Sequence, residues 1–206
     1  PEKIQTVHLG YNRVCGIAEE KLSVPEKFFL FVGVLKARKN VHTLINAFVR
    51  FYSRRQDFHL VLAGKAEGEY ASRVREMVMK EGLRDYVHLL VYRSEGELAY
   101  LYRRATALVY PSIIEGFGFP ILEAMDCGTP VITSNASSLP EVAGEAAILV
   151  DPHSPEAIVR AMERIAADRN FRAELIKKGM AQTRRFTWRQ AGREVIRCLQ
   201  EVALRI

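Results

Sequence analysis

Two carboxylates, Glu115 and Glu123, bracket the run Gly116-Phe117-Gly118-Phe119-Pro120-Ile121-Leu122. The glycines make a turn that leads into a short helix, predicted to start at Pro120 and to stop at Gly128. Proline suits a first helical position because the N–H it lacks would be unpaired there, and glycine just past the end is the usual left-handed stop. The N–H groups of Gly116, Phe117, Gly118, Ile121 and Leu122 are then partly free at the positive end of a helix dipole, an arrangement that holds phosphate. Glu115, in the turn, can face a ligand hydroxyl. Glu123, one helical turn in, has the reach for a diol such as a ribose. Upstream, Gly33-Val-Leu-Lys-Ala-Arg38-Lys39-Asn40 puts two cations just ahead of another helix start, where they and free amides can clamp a diphosphate. The bland alternatives are a tight strand-to-helix connection carrying two solvated glutamates, and a solvated basic loop.

The elements that must position these groups alternate apolar runs with helical patterns, which points to βα units and a parallel sheet. Strands are predicted at 28–33, 58–63, 87–91, 107–110, 131–133 and 146–150. Between them, the spacing of Val41, Leu44, Ile45, Phe48, Val49 and Tyr52 predicts a helix over 41–54 with Asn40 as its N-cap. Further helices are predicted at 70–81 and from a capping box at Ser94-Glu-Gly-Glu97 through Arg104. Ser154-Pro155 opens another, and the last two run over about 170–185 and 188–204, the latter behind the capping box Thr187-Trp-Arg-Gln190. The expected fold is a doubly wound, Rossmann-like α/β/α domain of three layers with a parallel sheet. Ligands of such sheets bind at the carboxyl ends of the strands. Gly33, Gly64, Tyr92 and Ser112 all lie just past such ends, so the motifs should converge on one edge.

Composition adds limits. A chain of 206 residues, 49% hydrophobic and 26% charged, can bury one good core. No apolar run approaches the roughly 18 residues needed to span a bilayer, and no secretory signal is visible behind Pro1. Opening at proline points to a piece of a longer chain. The three cysteines, Cys15, Cys127 and Cys198, form no C-x-x-C pair, so neither a zinc site nor a disulfide framework is indicated; a reducing cytosol fits, with Cys127 as core packing. The net charge of +6 favours anionic partners, but the basic residues are scattered over helix faces and no nucleic-acid motif appears. The histidines form no ligand cluster.

The string Glu115-Gly-Phe-Gly-Phe-Pro-Ile-Leu-Glu123, followed by Ala124-Met-Asp-Cys-Gly-Thr-Pro130, closely resembles the E-x7-E signature of retaining glycosyltransferases of the GT-B fold, family 4. The resemblance runs from about Val7 to the C-terminal helix. It implies that Glu123 holds ribose hydroxyls, that Glu115 binds the donor sugar near the reacting carbon, and that Gly116, Phe117 and Gly118 lend amides to sugar and phosphate. Ile121 and Leu122 would face the ribose and diphosphate. Gly33, Arg38 and Lys39 would form the diphosphate loop; Val34 stands where many relatives place an arginine, and Arg38 is the expected substitute. Gly64-Lys65-Ala-Glu-Gly68 resembles a second family loop, with Lys65 either facing the ligand or exposed. Main-chain groups of Tyr92 would bond the base edge, with Arg93 stacked on it or left in solvent, and Ser112 completes the donor site. Phe117 can be wall or core; Phe119 is expected in the core.

The two glutamates do not read as a glycosidase pair, whose carboxylates stand roughly 5 to 9 Å apart across a sugar. No D-x-D triplet is present. The resemblance therefore implies a metal-independent scheme without cofactor, in which Arg38, Lys39 and the helix dipole stabilise the leaving diphosphate. It covers only the C-terminal, donor-binding half of the GT-B architecture. Residues 1–24 would be a lead-in segment from an absent N-terminal acceptor domain, residues 25–186 the nucleotide-sugar domain, and residues 187–206 a helix crossing back to that absent domain. The R-K-N loop favours GDP-mannose as donor, with UDP-sugars open. The acceptor is expected to be a growing glycan or a lipid-linked one, in the cytoplasm or at the inner face of the membrane, with peripheral membrane contact open and no nucleic-acid partner. A nucleotide-sugar epimerase of the same fold and a non-catalytic nucleotide-binding module are the alternatives.

Overall fold

The computed structural model describes residues 4–92 and 94–203. Six strands form one parallel sheet: β1 (Phe28–Val32), β2 (His59–Ala63), β3 (Val87–Leu90), β4 (Ala107–Tyr110), β5 (Val131–Ser134) and β6 (Ile148–Val150). Their order across the sheet is β3-β2-β1-β4-β5-β6. All five residues of β1 are buried, as are all four of β4 and of β5, because helices cover both faces of a parallel sheet and leave no polar side to alternate with. Leu30 of β1 pairs with Val61 on one side and Leu108 on the other.

The helices are α1 (Val41–Tyr52), α2 (Gly68–Lys80), α3 (Glu95–Arg104), α4 (Phe119–Asp126), α5 (Leu139–Ala143), α6 (Pro155–Ala167), α7 (Arg169–Thr183) and α8 (Trp188–Ala203). Right-handed crossovers dictate the layers. Stepping from β1 to β2 to β3 puts α1 and α2 on one face. Crossing back from β3 to β4 and on to β5 puts α3 and α4 on the other. Accordingly α1 packs against α2 and α6, and α4 against α3, α5 and α7. Below α1, Phe29, Phe51 and Phe58 interlock, edge to face or stacked, at centroid separations of 5.2 to 5.4 Å.

The Ser94, Ser154 and Thr187 caps expected from sequence are formed, each hydroxyl accepting the N–H three residues on at 3.1 to 3.2 Å. Other boundaries move. Helix α1 ends at Tyr52, two residues early; α2 begins at Gly68 rather than 70; β6 begins at Ile148 rather than 146; α4 begins at Phe119, with Gly118 at its N-cap. The five-residue α5 was not predicted. Asn40 does precede α1, but its φ is 59° and its side chain makes no cap bond.

Residues 4–24 carry no helix or strand and lie along the domain, held by side-chain and main-chain contacts. His8 Nε2 is 2.6 Å from Glu141 Oε1, Arg103 reaches Glu19 at 2.9 Å, and the Glu20 N–H donates to the Gly96 carbonyl at 3.2 Å. Helix α8 is buried only at Ala191 among its described residues and exposes Val195, Ile196, Leu199 and Val202.

Candidate functional site

The strand order reverses between β1 and β4. In an open α/β sheet the loops that leave two such strands diverge and open a crevice at their carboxyl ends. Here those loops are residues 33–40 and 111–118. Glycine is required where the loop after β2 crowds the first of these: Gly64 has φ +144°, and a Cβ there would fall inside the Gly33 carbonyl. Fully buried Asn40 ties the loops together. Its Nδ2 donates to the Pro111 carbonyl at 3.0 Å and to the Pro152 carbonyl at 2.6 Å, while its Oδ1 accepts from Thr43 Oγ1 at 2.7 Å. One side chain thus fastens the loops after β1, β4 and β6.

Glu115 is the hub of this crevice. Its Oε1 accepts from Lys39 Nζ at 2.6 Å, from Ser112 Oγ at 2.6 Å and from Tyr110 OH at 2.9 Å; its Oε2 accepts from Arg38 Nη1 at 3.1 Å. Lys39 Nζ also donates to the Tyr110 oxygen. Ser112 Oγ also lies 2.9 Å from the Arg38 carbonyl; with one proton to give, it favours the shorter bond to the charged carboxylate. The side chains of Glu115 and Lys39 are 9% and 11% exposed, whereas Arg38 is 48% exposed. Burial alone would raise the Glu115 carboxyl; Lys39, Ser112 and Tyr110 outweigh it, and the net shift is downward. The Tyr110 phenol is driven far up, first by burial and then by the Glu115 charge beside it. The cluster is an ionised carboxylate with two cations and a neutral phenol.

The Glu115 loop is held from behind by the turn before α5. Ser137, at φ 58°, accepts the Glu115 N–H at 3.2 Å, and the Ser137 and Ser138 hydroxyls lie 2.8 and 2.9 Å from the Glu115 carbonyl. Among the described residues, the amides of Gly116, Phe117 and Gly118 make no intramolecular hydrogen bond. Gly118 has φ +125°, and a Cβ would press on Leu139, so this amide-rich turn tolerates no side chain at its last position.

Glu123 occupies a different environment. Its Oε2 accepts from Tyr102 OH at 2.7 Å, and Tyr102 is fully buried, its carbonyl tied to Thr129 Oγ1 at 2.6 Å. Burial raises the Glu123 carboxyl, and the Tyr102 bond only partly offsets this. The Tyr92 phenol is also raised, by burial and then by the Glu123 charge. Glu123 contributes weakly to the rise at Tyr110 too, so both carboxylates lie within electrostatic reach of one phenol. Among the described residues no group of three or more His, Cys, Asp and Glu could hold a metal ion.

A crevice at the switch point, lined by a buried carboxylate, two cations and free amides, suits an anionic, hydroxyl-bearing ligand. The family model "Glycosyl transferases group 1" matches residues 17–182. The chain belongs to this family. A similar curated protein is the O-antigen chain mannosyltransferase B of Escherichia coli, 36% identical over 171 residues that make up 82% of this chain and 44% of that protein. The chain therefore spans less than half of that relative's length. Sucrose-phosphate synthase from Thermosynechococcus elongatus superposes with a TM-score of 0.81 at 26% identity, over 96% of this chain and 52% of that one. Anabaena HepE, solved in complex with UDP-glucose, superposes at 0.76 and 22% identity, over 86% and 49%. These glycosyltransferase neighbours establish the Rossmann-like half of a GT-B fold.

Within this group 1 domain the structure brings Gly33, Arg38, Lys39, Ser112, Glu115, Gly116, Phe117 and Gly118 to one edge, and sets Glu123 and Tyr92 beside Tyr102. Arg93 lies outside the described residues. Lys65 is exposed, its carbonyl accepting the Leu35 N–H at 3.0 Å. Two expectations are corrected. The Ile121 N–H is not free: it closes a turn onto the Gly118 carbonyl at 3.0 Å. Phe119 is not core but 38% exposed, because the helix starts one residue early and turns that ring outward beside Phe117, at 5.0 Å between centroids. Arg38 and Lys39 stand together just ahead of the helix, and both donate to Glu115. Ile121 and Leu122 are fully buried, so any part they play is as packing under the turn. Sequence reading missed Tyr110, Tyr102 and Asn40, whose types and burial looked like strand core, helix core and a cap.

Proposed function

We propose that this chain is the donor-binding half of a hexosyltransferase that moves mannose, with retention, from a nucleotide diphosphate sugar to a glycan or lipid-linked acceptor. The observation that carries it is the Lys39–Glu115–Arg38 cluster at the switch point, beside the free amides of residues 116–118. A nucleotide diphosphate would draw Lys39 and Arg38 from Glu115 onto its phosphates, through charge-assisted hydrogen bonds. Glu115, released, then accepts hydroxyls of the sugar next to the reacting carbon. When the sugar–phosphate bond breaks, the negative charge that grows on the diphosphate meets two cations and the N-terminus of α4, already in place before reaction. No metal or cofactor is assigned a step in this scheme. Glu123, with Tyr102 behind it, holds the ribose diol, and the Tyr92 main chain lies toward the base.

Mannose as the sugar and GDP as the carrier are supported by the R-K-N loop and by the mannosyltransferase similar over most of this chain. UDP remains the competing carrier, as in the complex of the structural neighbour. No described helix is long and apolar enough to cross a membrane. The reading places the reaction in the cytoplasm, at the inner face of the membrane where a lipid-linked acceptor would stand. The chain alone is expected to bind donor but to turn over poorly, since the part of the acceptor site that presents the attacking hydroxyl lies on the rest of the protein.

Titration calorimetry against GDP, UDP, ADP, GDP-mannose and UDP-glucose, with and without EDTA, tests this. Binding of guanine ligands that is unchanged by EDTA is expected. Selective binding of uridine ligands would replace GDP by UDP, and absence of any nucleotide binding would overturn the site.

A further inference from the structure

A cavity of about 610 Å³ lies where the segment Tyr11–Cys15 crosses the end of α4 and the corner between α7 and α8. It shares no lining residue with the switch-point cluster. Its walls include Tyr11, Arg13, Asp126, Thr183, Arg184 and Trp188. The Arg13 guanidinium lies on Asp126, with Nη2 at 2.7 Å from Oδ1 and Nε at 3.0 and 3.3 Å from the two carboxylate oxygens. Asp126 is 4% exposed and Arg13 72%, so the buried carboxylate fixes the plane of a guanidinium whose remaining N–H groups face the opening. Trp188 is 53% exposed, yet its ring is pinned by Nε1 donating to Asn12 Oδ1 at 3.0 Å. The phenol of buried Tyr11 sits beside Asp126 and beside Thr183, whose hydroxyl donates to the Met180 carbonyl at 3.0 Å.

These features select a ligand class. The Arg13–Asp126 pair is electrically compensated and Arg184 adds one positive charge to the wall, which disfavours a cationic guest. A purely apolar guest would cover guanidinium N–H groups without bonding them, at a cost. A pyranose meets both demands: its C–H face stacks on an indole plate, and its hydroxyl rim accepts from the coplanar guanidinium donors. The volume falls within the roughly 300 to 1,000 Å³ of small-molecule sites. We infer that this cavity is a second carbohydrate site, separate from the donor site, taking a pyranose with one face on Trp188 and its hydroxyls on the Arg13 guanidinium that Asp126 holds in place. That the bound sugar belongs to the acceptor glycan rests on the proposed function; that the cavity holds a pyranose does not.

Trp188 is the only tryptophan in the chain, so its emission reports this cavity alone. Titration of the 206-residue protein with mannobiose, and in parallel with maltose and lactose, should change the emission saturably at millimolar sugar for at least one of them. GDP should leave the emission unchanged, and Glu115→Gln should leave the sugar titration unchanged. Arg13→Ala should weaken sugar binding about tenfold or more. Arg13→Lys, which keeps the charge over Asp126 but loses the planar fork, should weaken it comparably while melting within a few degrees of the parent. No saturable change with any of the three disaccharides overturns the inference. So does a change that GDP competes away or Glu115→Gln abolishes, since the sugar would then sit at the donor crevice. Sugar binding without nucleotide binding would sink the donor reading and leave this one standing.

Discussion

Replacing Lys39 by methionine tests the central cluster most directly. Methionine keeps the apolar stem and removes the ammonium, leaving Glu115, 9% exposed, with Arg38, Ser112 and Tyr110. Removing one partner of a buried pair costs about 3 to 5 kcal/mol; with three partners retained, the lower end, about 3 kcal/mol at neutral pH, is expected. For a chain of this size that is a fall in Tm of roughly 6 to 12 °C. The sign of the pH dependence is fixed by direction. The Glu115 carboxyl is held below its ordinary value, so the pair stabilises the fold above the unfolded carboxylate value near 4.3. That contribution disappears as pH falls through the lower folded value. Once Glu115 is protonated, wild type carries a nearly buried ammonium without its counter-charge, and the variant should equal or exceed it in stability. Urea unfolding at a series of pH values from 7 down to the lowest at which the protein stays folded measures this, with a double-mutant cycle through Glu115→Gln to isolate the coupling. In parallel, losing one charge-assisted phosphate contact, about 1.5 to 3 kcal/mol, should weaken GDP roughly 10- to 150-fold and leave guanosine binding unchanged. A stability loss at pH 7 accompanied by vanishing coupling in the Glu115→Gln cycle would show that Lys39 acts through packing, and equal losses for GDP and guanosine would remove it from the phosphate site.

The two glutamates should separate by ligand. Glu123→Ala is expected to weaken GDP and GDP-mannose by the same factor, roughly 10-fold for one lost diol contact, whereas Glu115→Ala, which frees Lys39 and Arg38, should retain GDP affinity and lose the preference for the sugar-bearing ligand; calorimetry giving identical profiles for both variants would refute the division. Asn40→Ala strips two buried carbonyls of their donor, at about 2 to 4 kcal/mol in all, and puts alanine at φ 59°. Asn40→Gly removes the same bonds without that strain, so it should unfold at a higher urea concentration than the alanine variant. Gly64→Ala drives a Cβ into the Gly33 carbonyl at a positive φ and should cost about 3 kcal/mol or more; a variant with unchanged thermal melting would mean the two loops separate easily.

How far the crevice was legible beforehand depends on what kind of signal each part left. Strands β1 and β4 were visible as apolar runs closed by Gly33 and Pro111, and the Ser94, Ser154 and Thr187 caps are local patterns within four residues. Helix α5 left no such trace, since five residues around Leu139 and Pro140 are too few to show a period. Phe119 was misplaced because a one-residue shift in a helix start turns a side chain by about 100°, from core to surface. The hub around Glu115 is a harder case. Lys39 and Glu115 stand 76 residues apart in sequence, and nothing in either segment says that they touch. Their meeting follows only from the strand order, in which β4 returns to lie beside β1 and brings the two loops face to face. Tyr110 carries the one local hint: a tyrosine as the last residue of a buried strand sets a hydroxyl at the mouth of the sheet, and a buried phenol seeks a partner. Read that way, Tyr110 at the end of β4 and Tyr102 inside α3 mark, by type alone, where the two carboxylates would be received. Which phenol receives which carboxylate is decided by topology: Tyr110 shares its loop with Glu115, while α3 packs against α4 and so delivers Tyr102 to Glu123.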